Sequence, residues 1–368
     1  MSEDLKVWVL LGDKVGDNAQ ALSLARGWGY SFEKKMLKYR ELRRLPNWLL
    51  GTSFWSLAEG EESLVAPWPD FVIGVGRRSA PIARGIKRLS GGKTRLIHLG
   101  RPRAPLAAFD LVVSTPQYCL PPHARHFSVD LPISTATRQE ACESAVAEKY
   151  ALRWGAEQQP KIALLVGGDA PPYRFDPETA AKLGEEACAL AAETGAQLLI
   201  TCGRRVSKEA ADALRNATQS TCLHFHRFSE SSDENPYLAY LAEAQLFVVT
   251  ADSVSMMADV LAVGGELRLF TPPRRPSAWQ KFRAALESLS RAVVPRAWRE
   301  ALVAKGLVVP LRRSELVASN LVDKGMARWL GSNSASLKRS EQASTLFTIL
   351  YKLTETFGVA RLGEQIRE

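Results

Sequence analysis

The sequence predicts an α/β chain built from two doubly wound domains, each an open parallel sheet covered on both faces, followed by C-terminal helices. Three observations predict it. Short, almost continuously apolar runs recur along roughly the first 275 residues, as expected of strands buried on both faces. Each is followed by a glycine or polar turn and then an amphipathic stretch, the rhythm of parallel sheets. That rhythm restarts once, after the polar segment GAEQQPK at 155–161. A chain of 368 residues is too long for one ordinary domain and comfortable for two.

In the first half, residues 6–12 (KVWVLLG) read as a buried strand and 17–28 as its helix. Residues 71–76 (FVIGVG) and 80–89 form the next pair, with short strands at 96–99 and 111–114. A helix over 138–154 leads to the linker. In the second half, strands are predicted at 162–166, 197–201, 246–250 and 267–270, with helices at 178–193, 208–216 and 254–263. From about residue 295 the chain is rich in Leu, Ala and Arg without strand–turn–helix rhythm, so helices packing back on both domains are expected. The expected boundaries are 1–155, 156–295 and 296–368. The two repeated runs define Rossmann-like domains facing a cleft, and ligands of such sheets sit beyond the carboxyl ends of the strands.

Composition narrows the partners. Hydrophobic content of 46% with 24% charged residues is that of a globular chain. No apolar run reaches the ~20 residues that span a bilayer. The acidic start before a short strand is unlike a secretory signal, so the expected location is cytoplasmic or peripheral to the inner face of the membrane. Five separated cysteines without a CxxC pair argue against a disulfide framework or zinc knot. A net charge of +9 points to an anionic partner, either phosphorylated small molecules or an anionic membrane. Zinc-finger and RNP-type signatures are missing, so no nucleic-acid partner is expected.

The strand-end turns carry the candidate chemistry. The first turn holds Gly12, Gly16, Asp17, Asn18 and Gln20. Its glycine spacing is not GxGxxG, which disfavours a dinucleotide, and no cofactor is predicted. Asp17 reads either as a helix N-cap or as a general base for an acceptor hydroxyl. The second turn holds Gly76, Arg77 and Arg78, where paired guanidinium forks suit an anion or a solvated surface. In the second half, Gly167, Gly168 and Asp169 follow one strand, and Thr201, Gly203, Arg204 and Arg205 follow another. A third leads into Thr250, Asp252, Ser253, Ser255 and Met256, with Asp259 one turn into the helix. Glycines permit close approach, arginine offsets pyrophosphate charge, and hydroxyls with helix-start N–H groups cradle phosphate oxygens. A carboxylate at position 259 suits a ribose diol. There is no Asp-x-Asp pair and no Walker A sequence. His224-x-His226 and His123/His126 have no third ligand in the pattern, so no metal site is predicted.

These blocks resemble the mitochondrial fission ELM-one-like family, glycosyltransferase-like proteins of bacteria and plants. The resemblance rests on WVLLGDKVGDNAQALSLA, PDFVIGVGRRSAPIARGIKR, the GGD turn, TCGRR and NPYLAYLAEAQLFVVTADSVSMMADVL, in that order over residues 6–275. It implies a GT-B-like architecture, distantly similar to the peptidoglycan glycosyltransferase MurG: an N-terminal acceptor-side domain and a C-terminal domain that binds a nucleotide sugar without a metal. Position by position, it places Ser253 and Ser255 at phosphate, Asp259 at the ribose, Arg204 at the leaving diphosphate and Asp17 near the acceptor. Two positions depart from the family pattern. Asp259 stands where glutamate is expected, and Val263-Gly264-Gly265-Glu266-Leu267 replaces a GKPV-like run, which predicts an altered donor site.

The resulting expectation is a metal-independent glycosyltransferase. It would move sugar from a nucleoside diphosphate sugar to an unidentified acceptor, lipid-linked or of the cell-envelope polysaccharide class. A non-catalytic adaptor of the same fold and a nucleotide-sugar epimerase are the alternatives. Residues 34–44 carry six basic residues against one acid, followed by Trp48, Phe54 and Trp55. That combination suits either docking to an anionic membrane or a solvated basic helix ahead of core aromatics.

Overall fold

The computed structural model of the protein describes residues 5–58, 64–134, 138–154, 159–228, 235–332 and 345–358. The chain divides into two compact units. One comprises Met1–Thr135, Ala284–Arg313 and Ala343–Glu368, the other Ala136–Arg283 and Ser314–Gln342.

The first unit contains β1 (Val7–Leu11), α1 (Val15–Trp28), β2 (Phe32–Met36), α2 (Asn47–Leu50), β3 (Phe71–Val75), α3 (Gly76–Leu89), β4 (Arg95–Leu99), β5 (Leu111–Ser114) and β6 (His126–Ser128). The strands form one parallel sheet in the order β2-β1-β3-β4-β5-β6. β1 is buried along its whole length, which is why VWVLL is apolar on both faces. Val7, Val9 and Leu11 pack with α1 residues Leu24 and Trp28, whereas Trp8 and Leu10 pack with Ile82 and Ile86 of α3. The edge strand β2 (FEKKM) carries no continuous apolar signal and is absent from the predicted elements. Its Lys35 is nonetheless buried, with its ammonium 4.3 Å from the Trp8 ring centroid and paired with Glu33.

The second unit contains α4 (Arg138–Cys142), α5 (Ala145–Trp154), β7 (Lys161–Gly168), α6 (Pro177–Thr194), β8 (Gln197–Arg205), α7 (Lys208–Thr218), β9 (Cys222–Arg227), α8 (Tyr237–Glu243), β10 (Leu246–Thr250), α9 (Val254–Ala262) and β11 (Glu266–Phe270). The chain continues through α10 (Ala278–Val293), α11 (Arg296–Ala304), α12 (Glu315–Asp323), β12 (Ala327–Trp329) and α13 (Thr345–Phe357). The second sheet is also parallel, in the order β12-β11-β10-β7-β8-β9. Taken in chain order this is the Rossmann arrangement of strands.

Two differences from the sequence reading have clear causes. Helices α4 and α5, expected with the first half, belong to the second unit. There Trp154 lies 5.8 Å from the Tyr240 ring and Tyr150 lies 5.1 Å from His224, an aromatic cluster that periodicity cannot reveal. The tail is not purely helical either, because β12 adds a sixth strand beside β11. Three residues are too few to alternate visibly. In the first unit, α13 returns to pack Leu346 and Leu350 against Gly27 of α1, where a β-carbon would stand 3.1–3.3 Å from the leucine methyls.

Candidate functional site

In the second sheet β7 lies between β10 and β8, so the strand order reverses between β7 and β10. The carboxyl ends of those strands are where an open α/β sheet leaves its crevice. Here the Gly167 N–H donates to Thr250 Oγ1 at 2.8 Å, joining the two strand ends. Gly168 has φ +101°, and a β-carbon on it would lie 2.5 Å from the carbonyl carbon of Arg205 and 2.7 Å from its oxygen. The β7–β8 register shifts at this point. Glycine is therefore required here twice, by backbone conformation and by close approach.

Asp252 is the buried centre of the cluster. Its carboxylate lies directly over Gly167, where a β-carbon would collide with it. Arg205 Nη2 donates to Asp252 Oδ2 at 2.8 Å, and Arg205 Nη1 donates to the Asp169 carbonyl at 3.2 Å. The other oxygen, Oδ1, has no hydrogen-bond partner among the described residues. Burial raises the Asp252 pKa above its ordinary value, against the opposing pull of Arg205 and Thr250. Asp169 anchors the following loop, its carboxylate accepting from Phe175 N at 2.6 Å and Arg174 Nη1 at 3.1 Å.

Beside this cluster Ser253 is the N-cap of α9, yet its hydroxyl makes no capping hydrogen bond. The first turn of α9 carries no acid. The leading N–H groups of any helix have no intrahelical acceptor and favour an anion. Ser255 is exposed in this turn and Met256 half-buried. Further along, Asp259 Oδ2 accepts from the Tyr237 hydroxyl at 2.9 Å. Burial, reinforced by that carboxylate, raises the Tyr237 pKa and keeps the phenol protonated as a donor. Tyr237 was not among the sequence candidates, although it opens the helix before β10.

The structure thus brings Gly167, Gly168, Asp169, Arg205, Thr250, Asp252 and Ser253 together. Gly203 joins them through the β7 backbone, a β-carbon there lying 3.1 Å from Gly167 O. Arg204 does not take part in the Asp252 contact. Strand alternation gives it the face opposite Arg205, and its exposed guanidinium lies 5.4 Å from the Phe228 ring centroid. Thr201 is buried within the sheet and shares a 3.2 Å hydrogen bond with His226. Glu266 opens β11 at the amino edge of the sheet, opposite these turns, where it pairs with Arg268 at 2.7 Å. The departure at that position is therefore remote from the candidate site.

The first unit has its own reversal, between β1 and β3. Gly12 N–H donates to Asn18 Oδ1 and Asn18 Nδ2 donates to Gly12 O, both at 2.8 Å, so one side chain clamps the turn. Asn18→Ala is expected to cost about 2 kcal/mol, one net hydrogen bond each way, read as a lower urea midpoint at unchanged slope. Arg78 Nη1 donates to both Asp13 oxygens at 2.6 Å, and Arg43 approaches Asp13 at 3.3 Å. Burial would raise the Asp13 pKa, but the Arg78 hydrogen bond and charge outweigh it and lower the net value. Lys14, not Asp17, is the N-cap of α1, and Asp17 sits in the first turn, partly exposed, with Oδ2 3.7 Å from Lys14 Nζ. A β-carbon on Gly76 (φ +69°) would lie 3.4 Å from that oxygen. Gly16 faces open space, and Gln20 Nε2 donates to its carbonyl at 3.4 Å.

Arg77 is committed to structure, donating to Leu45 O at 3.0 Å and Arg43 O at 2.8 Å. The Tyr39 ring lies 3.1 Å from where a Gly12 β-carbon would stand, and burial beside Asp13 raises its pKa. Tyr39 also escaped the sequence reading, since only the fold brings it to the turn. Residues 34–44 run from the end of β2 through an isolated bridge between Tyr39 and Leu57 to a 3-10 turn (Glu41–Arg44) rather than forming a helix. Trp48 and Trp55 are 68% and 62% exposed, whereas Phe54 packs on α3 at Gly85.

Among the described residues no group of three or more His, Cys, Asp or Glu is placed to hold a metal ion. None of their helices is long and apolar enough to cross a membrane.

The chain is 22% identical over 330 residues to an uncharacterized protein of Rickettsia prowazekii, covering 81% of this chain and 92% of that one. It is 23% identical over 217 residues to the mitochondrial fission protein ELM1 of Arabidopsis thaliana, covering 53% of this chain and half of that protein. A solved UDP-GlcNAc 2-epimerase from Methanocaldococcus jannaschii shares the fold with TM-score 0.51 and 10% identity, over 95% of this chain and all of that one. The model of the family described as mitochondrial fission ELM1 matches residues 15–324, and the chain belongs to that family.

Proposed function

We propose that the protein is a metal-independent glycosyltransferase whose second unit holds a nucleoside diphosphate sugar at the carboxyl ends of β7, β8 and β10. The observation that carries this reading is the convergence of Gly167, Gly168, Arg205, Asp252 and the uncapped start of α9. Gly167 and Gly168 let the Asp252 carboxylate and the Arg205 backbone close in on the strand ends, and the α9 amides with the Ser253 and Ser255 hydroxyls face the diphosphate oxygens. Arg205, the arginine on this face of β8, supplies positive charge. As the glycosidic bond breaks, the diphosphate gains negative charge, and fixed donors stabilise it most at that moment. The Asp259 carboxylate, oriented by Tyr237, takes the ribose hydroxyls. In the first unit Asp17 serves as base for the acceptor hydroxyl if the anomeric centre inverts. The acceptor is lipid-linked, and the exposed Trp48 and Trp55, with the exposed Lys34, Lys38 and Arg44 that precede them in the sequence, dock that unit on an anionic membrane.

The test is a thermal-shift screen with UDP-, GDP- and ADP-sugars, followed by product analysis. A ligand at 100 times its Kd stabilises by about 2.7 kcal/mol, a shift of a few degrees for a chain this long. Binding with slow release of free sugar is the expected outcome. Conversion to a second sugar nucleotide would identify an epimerase, the activity named for the structurally similar archaeal protein. Absence of binding to every nucleotide sugar would leave the adaptor reading.

A further inference from the structure

Helix α10 is amphipathic but inside out. Trp279, Phe282, Leu286, Leu289 and Val293 recur every three or four residues and so form one apolar row. A row of that kind normally faces a core. Here its members are exposed, from 49% at Leu286 to 72% at Val293, and no residue of the helix is buried. The half-buried positions are instead Gln280, Arg283, Glu287 and Ser290, the polar side. Glu287 fixes this orientation, pairing with Arg291 at 2.6 Å and Arg313 at 3.4 Å and accepting from Leu311 N at 3.5 Å. Next in the chain, α11 presents Trp298, 71% exposed.

From 274 to 305 the sequence carries eight Lys or Arg and two Glu. Both Glu are already matched by arginine, Glu287 as above and Glu300 by Arg296 at 2.7 Å. Arg274 and Arg275 pair with Glu315 and with Asp176 elsewhere in the fold, so the strip is apolar along its crest and net basic, through Lys281, Arg299 and Lys305, around it. A second copy meeting this row would bring two basic belts together, which opposes association. A leaflet of anionic phospholipid complements both features: the row enters the headgroup boundary, tryptophan suits the interface, and lysine and arginine meet lipid charge.

We infer that α10 is a membrane-docking helix that lies in the plane of an anionic bilayer surface with the Trp279–Val293 row inserted. This deepens the membrane part of the proposed function but is independent of donor binding.

The experiment is co-sedimentation of the full chain with vesicles of phosphatidylcholine alone or with about 30% phosphatidylglycerol. Binding to the anionic vesicles only, weakened by raising salt, is expected. Leu286→Glu/Leu289→Glu is expected to reduce partitioning by at least about 30-fold, two inserted leucines being lost. Val293→Glu, tested alone, moves in the same direction. Urea midpoint and nucleotide-sugar affinity are expected to stay at wild-type values in both variants. Unchanged partitioning in these variants overturns the inference, and loss only in Trp48→Ala/Trp55→Ala assigns docking to the other surface. A wild-type dimer that the double variant turns into a monomer overturns it in favour of a second copy. Failure of wild type to bind either vesicle overturns both membrane readings while leaving donor binding to be judged separately.

Discussion

Gly168→Val is expected to destabilise the second unit by about 3–5 kcal/mol and to abolish any nucleotide-sugar response. The substitution meets two penalties at once. A φ of +101° is disfavoured for a side chain branched at Cβ, and the new β-carbon would stand 2.5–2.7 Å from the Arg205 carbonyl and the Val206 nitrogen. Those neighbours are backbone in a paired strand, so they cannot swing aside. The displaced end of β8 would carry Arg205 away from Asp252. Urea unfolding followed by far-UV circular dichroism gives the stability, and thermal shift gives the ligand response. Gly16→Ala is the contrast. Its position is helical and faces open space, so the change is expected to be neutral or to stabilise by up to about 1 kcal/mol. Equal behaviour of the two variants would show that the strand ends are not packed as described.

Much of this arrangement is legible in the sequence because parallel strands announce themselves. LLVGG before a helix and LFVVT before another can hardly be anything else, and both end where ligand turns belong. Arg205 was harder, since TCGRR offers two arginines and only the strand's alternation separates them. Once β8 is known to run through residue 205, Gly203 and Arg205 share the face toward β7's turn and Arg204 takes the other. Asp252 carries no sign of burial in its own neighbours, because ADSVS reads as a polar loop. It is buried because Gly167 has no side chain to exclude it. Tyr39 and Tyr237 lie far in sequence from Gly12 and Asp259, and a single sequence has no means of pairing them. The outward row of α10 was hidden for the opposite reason: its periodicity is plain, but periodicity does not say which face meets water.

Arg205→Ala is expected to cost about 2–3 kcal/mol at neutral pH and to weaken nucleotide-sugar binding at least about tenfold. Removing one partner of a buried pair typically costs about 3–5 kcal/mol, and the lower figure applies because Arg205 is 44% exposed and water replaces part of its contact. The effect must depend on pH in a definite direction. Asp252 has a folded-state pKa above its ordinary 3.8, because burial outweighs Arg205. Below 3.8 the group is protonated in both states and exacts no penalty. As pH rises from there through the raised value, the unfolded chain loses its proton first and stability falls. Arg205→Ala extends that window upward, since the guanidinium is what restrains the shift. Asp252→Asn removes the titrating group, so the share of the pH dependence that wild type owes to Asp252 should appear in the difference between the two proteins, over a background set by the half-buried histidines. In the double variant Arg205→Ala/Asp252→Asn most of the loss at neutral pH should be recovered, because no buried charge is left without a partner. Urea midpoints at pH 4, 5, 6 and 7 for the four proteins decide this. Donor affinity separates the roles: Asp252→Asn, which leaves the arginine in place, should lose less binding than Arg205→Ala if Asp252 only orients the guanidinium. Equal losses would mean that the carboxylate itself meets the ligand, with its unpartnered Oδ1 as the contact.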